Sequence, residues 1–207
     1  MNVLSKSYFF IKRRCYFYYY YKFRALHNTP GMLTIEEGIT LFNYSKKIAS
    51  DEIIIEIGSY KGKSTNFICE GLKNNERAFI VCIDTWHSKV QSVVEDTFSE
   101  FCHNTESNGD KIKTIRGYSI SVETDNLLTA LIERKKVGLV FIDADHSYET
   151  VKKEISKYVP YLEKGKYILF HDYNNPCGVK RAVDDAINDG TITKIKEVGS
   201  MAVCIKL

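Results

Sequence analysis

Two apolar runs in this chain end in groups that can bind a cation or move a proton. The run 139–142 leads into Asp143, Asp145 and His146, and the run 167–170 leads into His171, Asp172 and Tyr173. Carboxylates gathered in apolar surroundings stay ionised only beside a cation or hydrogen-bond donors. Asp143, His171 and Asp172 are therefore a candidate site for a divalent ion. Carboxylate oxygens suit Mg2+ or Mn2+, and the imidazole tips the balance toward manganese or another transition metal. Alternatively His146 or His171 is a general base, because histidine titrates near neutrality. Each also has a plainer reading, His146 as a helix-start residue and His171 as a satisfied histidine at the mouth of a sheet. Asp145 reads as support for the turn and Tyr148 as packing.

A second group lies nearer the N-terminus, where Glu56, Gly58 and Gly62 follow the pattern E-x-G-x-x-x-G, with Tyr60 inside the loop and Ser64 just beyond it. Glycines at 58 and 62 let the turn tighten and a ligand approach the backbone, and the next helix offers unpaired N–H groups. The pattern is neither G-x-G-x-x-G nor a P-loop. Asp84 ends the following apolar run, where an acid accepts hydrogen bonds from ribose hydroxyls. Trp86 and Ser119 follow the second and third apolar runs.

These residues need a scaffold that brings strand ends together. Helical patterns over 34–50, 61–72, 90–104, 122–135, 147–158 and 178–189 alternate with apolar strands over 52–60, 78–86, 111–118, 137–145 and 167–173. Two further strands, 191–198 and 200–207, flank a Gly-Ser turn and form a closing antiparallel pair. Alternation of this kind predicts an α/β fold, a Rossmann-like three-layer sandwich around a mostly parallel seven-stranded sheet. Ligands then bind beyond the carboxyl ends of the strands. Thr34 and Glu37 have capping-box spacing, and the stretch 151–157 reads as a solvated helix face.

Composition narrows the function classes. The chain has 207 residues and a net charge of +3. Residues 1–31 hold Lys6, Lys12, Arg13, Arg14, Lys22 and Arg24 and no acid, so the remainder carries −3. A mildly acidic body disfavours a nucleic-acid partner. Residues 1–31 are expected to form a basic aromatic extension outside the fold, with the domain covering 32–207. The competing reading is contact of that extension with a membrane surface or a partner, and a spanning helix is not expected. Six scattered cysteines without metal spacing suggest a reducing, cytoplasmic setting. Nothing sets an oligomeric state, and a homo-oligomer remains open.

Taken in order, the phrases "EIGSYKGKST", "CIDTW", "FIDADHSYETV" and "FHDY" followed by "GVKRAVDD" resemble the class I S-adenosylmethionine-dependent methyltransferases. Within them the chain is most similar to the small-molecule and sugar O-methyltransferase branch, over about 33–207. The resemblance implies S-adenosylmethionine as cofactor and methyl transfer to a hydroxyl of a small acceptor, a sugar among the candidates. It implies that Glu56, Gly58, Tyr60, Gly62 and Ser64 form the methionine-side loop and that Asp84 holds the ribose. Trp86 would lie near the adenine or simply pack, and Ser119 would touch the base or serve as a turn hydroxyl. Asp143 would border the cofactor and the acceptor. Metal-dependent relatives carry an acid pair or Asp-Asn after strand five, and here His171 replaces one member. Two alternatives remain, an NAD-type oxidoreductase and a non-enzymatic nucleoside-binding module on the same sheet.

Overall fold

The computed structural model describes residues 21–90, 93–133, 135–175 and 178–207. The first twenty residues, on which the membrane-surface reading mostly rests, lie outside them. In chain order the elements begin with α1 (21–27), α2 (Ile35–Ser45), β1 (Glu52–Ile57), α3 (Lys63–Leu72) and β2 (Ile80–Asp84). Next come β3 (His87–Val90), β4 (Val93–Asp96), α4 (Phe98–Thr105), β5 (Ile112–Arg116), α5 (Val122–Ile132) and β6 (Lys136–Ile142). The chain closes with α6 (Tyr148–Tyr158), β7 (Leu162–Phe170), α7 (Gly178–Asn188), β8 (Ile192–Val198) and β9 (Met201–Lys206).

Seven strands form one sheet in the order β5-β2-β1-β6-β7-β9-β8. The first five are parallel, and β9 pairs antiparallel with both β7 and β8. This is the predicted Rossmann-like sandwich with its closing pair. Strand β1 is buried along its whole length because helices cover both faces. Ile53, Ile55 and Ile57 face a core shared with Leu128, Val151, Ile155 and Val183 of α5, α6 and α7. Ile54 faces the other core, with Leu41, Phe67 and Phe101 of α2, α3 and α4. Strand order reverses between β1 and β6, and the candidate residues gather at that point.

Two expectations need correction. The stretch 90–104 was expected to be one helix, but it starts with an antiparallel β3–β4 hairpin and becomes helical only at Phe98. Adjacent β-branched Val93 and Val94 favour the strand. The hairpin is closed at its base by the Thr97 amide donating to the Trp86 carbonyl at 2.9 Å. The boundary at Met32 is also too late. Phe23 is fully buried, with its ring 4.7 Å from Phe42 and 5.7 Å from Phe67. Lys63 Nζ donates to the Gly31 carbonyl at 3.2 Å, tying the following turn to α3. Residues 21–31 therefore belong to the packed fold, because an aromatic ring from α1 fills the space between α2 and α3.

Truncating a buried phenylalanine typically costs about 3–5 kcal/mol. Phe23→Ala should lower the unfolding free energy by that amount, read in urea as a lower midpoint at unchanged slope. A loss below about 1 kcal/mol, within the range of surface substitutions, would show that α1 is not docked.

Candidate active site

The loop after β1 is fixed by backbone approach. Asp143 N donates to the Ile57 carbonyl at 2.8 Å, and Gly58 N donates to the Ile83 carbonyl at 2.9 Å. Gly58 has φ +84°, and a Cβ there would lie 2.2 Å from the Asp143 carbonyl oxygen. No residue with a side chain fits that position. Gly62, at φ +88°, caps α3 without a side-chain hydrogen bond. The first amides of α3 thus lack a side-chain acceptor from their cap, and they carry the positive end of the helix.

Acids fasten this loop from below and from the side. Glu56 is fully buried, and its Oε2 accepts from Ser59 Oγ at 2.7 Å, Thr65 Oγ1 at 2.5 Å and Cys82 Sγ at 3.3 Å. Burial still pushes its carboxyl pKa up, against the pull of Ser64, Thr65 and Ser59. Glu56 therefore braces the loop from beneath. Asp84 Oδ2 accepts from Ser59 N and Tyr60 N, both at 2.8 Å, and its Oδ1 accepts from Trp86 N at 2.7 Å. Those three bonds hold the loop open beside the end of β2 and leave Oδ1 acceptor capacity for a ligand.

On the base side the structure separates two open readings. Trp86 is 1 % exposed, and its ring packs 4.8 Å from Phe98 and 5.0 Å from Phe101. It is a core residue. Ser119 is only partly buried, and its hydroxyl donates to Glu154 Oε1 at 2.6 Å. Glu154 falls in the stretch expected to be solvated, yet it is fully buried, and burial pushes its carboxyl up to about 7. It lies on the same helical face as Val151, Ile155 and Tyr158, so the i, i+3, i+4, i+7 spacing was the signal to use.

At the chemical end, Ile142 pairs with Phe170, so Asp143 and His171 leave neighbouring strands side by side. His171 is 6 % exposed. Its Nδ1 lies 3.1 Å from Asp143 Oδ1 and 3.3 Å from Asp172 Oδ2, but at angles outside hydrogen-bond geometry. Its Nε2 lies 3.4 Å from Glu37 Oε2 and 3.3 Å from Ser200 Oγ. Glu37 also accepts from Ser200 N at 2.7 Å and from Thr34 N at 2.8 Å. The capping-box spacing located Glu37, but nothing in it pointed to His171, which is 134 residues away.

Burial alone would lower the His171 pKa, but the Asp143 and Glu37 carboxylates outweigh it and push it up to about 11. With carboxylates beside both ring nitrogens, the arrangement favours the protonated form of His171 over a free base. Burial would raise Glu37, but His171, Thr34 and Ser200 hold it down at about 2. Burial raises Asp143, only partly offset by His171.

The metal-ligating arrangement falls instead on Asp143, His146 and Asp172, whose donor atoms lie within 4.8 Å of one another. His146 is half exposed, with Nε2 3.1 Å from Asp172 Oδ2. Two carboxylates and one imidazole form a donor set that fits Mn2+ or Mg2+. Asp145 turns away to accept from Ser147 N at 2.7 Å, supporting the start of α6. Tyr148 donates to Asp185 Oδ2 at 2.7 Å, bridging α6 to α7. Cavities of about 470 and 510 Å³ lie along α6, and no residue of the Asp143 group lines either one.

The Glu37–His171 pair sets a pH signature. Glu37 is depressed from 4.5, so its contribution to stability is present above 4.5 and is lost as pH falls through about 2. His171 is elevated from 6.5, so its contribution is complete below 6.5 and is lost as pH rises through about 11. In chelator-containing buffer, Glu37→Gln should show a shallower decline of unfolding free energy than wild type on both wings. Equal slopes would mean the pair does not form.

Comparison with known proteins agrees with this architecture. Residues 55–173, more than half of the chain, match the family model described as a methyltransferase domain. A relative, the uncharacterized protein R132 of Acanthamoeba polyphaga mimivirus, is 26% identical over 136 residues, or 65% of this chain. The match spans only 58% of that relative's length. Among solved structures, the O-methyltransferase NovP has a TM-score of 0.69 at 16% identity, covering 85% of this chain and 81% of that one. The O-methyltransferase from Bacillus cereus in complex with S-adenosylhomocysteine has a TM-score of 0.61 at 18% identity, covering 89% and 88%. The S-adenosylhomocysteine-bound methyltransferase PaMTH1 of Podospora anserina has a TM-score of 0.61 at 18% identity, covering 84% and 79%. At these identities the likeness establishes the Rossmann-like methyltransferase fold. With the family match running from β1 through the His171-Asp172-Tyr173 turn, the chain belongs to the methyltransferase-domain family.

Proposed function

We propose that the protein transfers a methyl group from S-adenosylmethionine to a hydroxyl oxygen of a small acceptor, with a sugar among the candidates. The observation that carries this reading is the contact at Gly58. It sets the glycine loop, with Asp84 at its side, directly against the backbone of Asp143. A nucleoside cofactor in the loop would thus present its reactive end to the acid–histidine group. The open α3 N-terminus and the Gly58–Gly62 turn fit the methionine side of the cofactor, and Asp84 fits the ribose. S-adenosylmethionine supplies a sulfonium methyl, open to in-line displacement by the acceptor oxygen.

The chain's own task is to align that oxygen and take its proton. We assign proton acceptance to His146, which is half exposed and oriented by Asp172. His171 acts as a fixed cation that keeps Asp143 and Asp172 compatible at short range. Asp143 orients the acceptor hydroxyl. A second reading is favoured by the three clustered donor atoms. Mg2+ or Mn2+ held by Asp143, His146 and Asp172 would lower the hydroxyl pKa. No described helix is long and apolar enough to cross a membrane. The free thiols Cys69, Cys82, Cys102 and Cys204 suit a cytoplasmic enzyme.

Calorimetry should show S-adenosylhomocysteine binding and no NAD binding, and NAD binding alone would replace this reading with an oxidoreductase. His146→Gln should lower kcat by at least about 10²-fold with little change in S-adenosylhomocysteine affinity. Full turnover by Asp143→Ala would remove the proposed centre. Chelation separates the two modes. Activity that survives it supports His146 as base, and loss restored by Mn2+ supports the ion.

A further inference from the structure

The β3–β4 hairpin stands apart from the seven-stranded sheet, and among the described residues neither of its strands pairs with any other. A lone two-stranded hairpin is marginal in water, so its position is set by whatever ties down its base. Side chains alternate across a strand, so the consecutive residues Glu95 and Asp96 face opposite ways. Each meets a cation. Glu95 Oε1 lies 3.6 Å from Lys61 Nζ, which also meets Glu100 of α4 at 2.7 Å. Asp96 Oδ2 accepts from Arg116 Nη2 at 2.5 Å. The same nitrogen lies 3.0 Å from Nε2 of His87, the cross-strand partner of Asp96.

Those two cations flank one carboxylate. Lys61 sits in the glycine loop after β1, next to Tyr60, whose amide donates to Asp84. Arg116 ends β5 and is the register partner of Asp84. Because β2 lies between β1 and β5, the base of the hairpin straddles the strand end that carries Asp84. Backbone bonds lead the same way, since Thr97 N donates to the Trp86 carbonyl and Trp86 N donates to Asp84 Oδ1. Displacing the hairpin base would thus loosen the group that fits the ribose. The side chains of Glu95, Glu100, Asp96 and Arg116 are 45, 48, 51 and 41 % exposed. Each link therefore shifts an equilibrium by about fivefold at most, and it weakens as salt rises.

We propose that Lys61 and Arg116 are positioning residues for cofactor retention: by clamping the hairpin base on both sides of Asp84, they slow the release of a nucleoside cofactor. This rests on the S-adenosylmethionine reading above and adds to it a salt-dependent residence time. Both cations act through the hairpin acids they already hold.

The test is surface plasmon resonance on the immobilised full chain, with S-adenosylhomocysteine as the probe. Lys61→Met and Arg116→Met should each raise the dissociation rate by about threefold, and the double variant by about tenfold. Between about 50 and about 500 mM NaCl the wild-type rate should rise by about threefold, and that of the double variant should stay within about twofold. Lys61→Glu combined with Glu95→Lys re-forms the pair with reversed signs, so it should release the probe more slowly than Lys61→Glu alone. General weakening of the fold would speed release at every salt concentration and would not respond to the charge swap. If Lys61→Met does not fold, Glu95→Gln breaks the same link from the exposed side of the hairpin. A rate within about twofold of wild type in every folded variant overturns the inference and leaves the cofactor reading intact. Acceleration that ignores both salt and the swap does the same. Failure of wild type to bind S-adenosylhomocysteine overturns the cofactor reading itself, and this inference with it.

Discussion

The Asp143 carbonyl occupies the space that a side chain at position 58 would need, and the whole mouth of the sheet is organised around that contact. Strands β1 and β6 are neighbours with Ile57 opposite Ile142, so their loops leave the sheet at one level. A Cβ at 58 would force the loops apart and separate the glycine turn from the acid group. With glycine there, the two loops share a wall. The positive φ that follows is tolerated only because glycine lacks the Cβ clash. Four described non-glycine residues also adopt positive φ, Glu133 at the end of α5 and Tyr60, Trp86 and Asp172 after β1, β2 and β7. Such backbone strain persists where surrounding contacts over-determine the conformation, and the last three follow strands at the mouth of the sheet.

Buried acids supply those surrounding contacts, each by a different arrangement. Glu37 joins α2 to the end of β7 and to the β8–β9 turn, through His171 and Ser200. Glu56 gathers three side-chain donors from β1's own exit loop, α3 and β2. Asp84 takes backbone amides from two loops. Burying a carboxylate is costly unless its lone pairs are filled, so removing one donor leaves a penalty larger than the bond itself. The cleft is therefore preorganised by bonds already made within the chain. This suits a reaction in which alignment of an oxygen with a methyl group is most of the task.

Much of this could be read in the sequence, for a definite reason. Period-2 and period-3.6 patterns report one-dimensional facts, and strand ends in a parallel sheet convert them directly into a three-dimensional address. Glu56, Gly58, Gly62, Asp84, Asp143 and Asp172 all stand at or just after such strand ends. What escaped depends on partners distant in the chain. Phe23 sits among basic and aromatic residues that look like an interface, and only the gap between α2 and α3 makes it core. Val93 and Val94 sit in a helix-compatible stretch, and pairing with β3 makes them strand. Glu154 was obscured by flanking lysines, although its helical position relative to Val151 and Tyr158 placed it inward.

The two histidines show most clearly what sequence cannot carry. His146 and His171 both follow strand ends beside aspartates, and by composition they are equivalent. In the fold, carboxylates from α2, the β6 exit and the β7 exit surround His171, so its charge is balanced from three elements at once. His146 meets Asp172 and otherwise faces solvent. A group with a permanent proton organises charge, and a group with one partner and open access can exchange protons with an acceptor. Asp143 and Glu37 together make the surroundings of His171 unlike those of His146, and Glu37 is an acid that the local pattern explains fully as a helix cap. One side chain thus closes a capping box and also pairs with a histidine in the cleft.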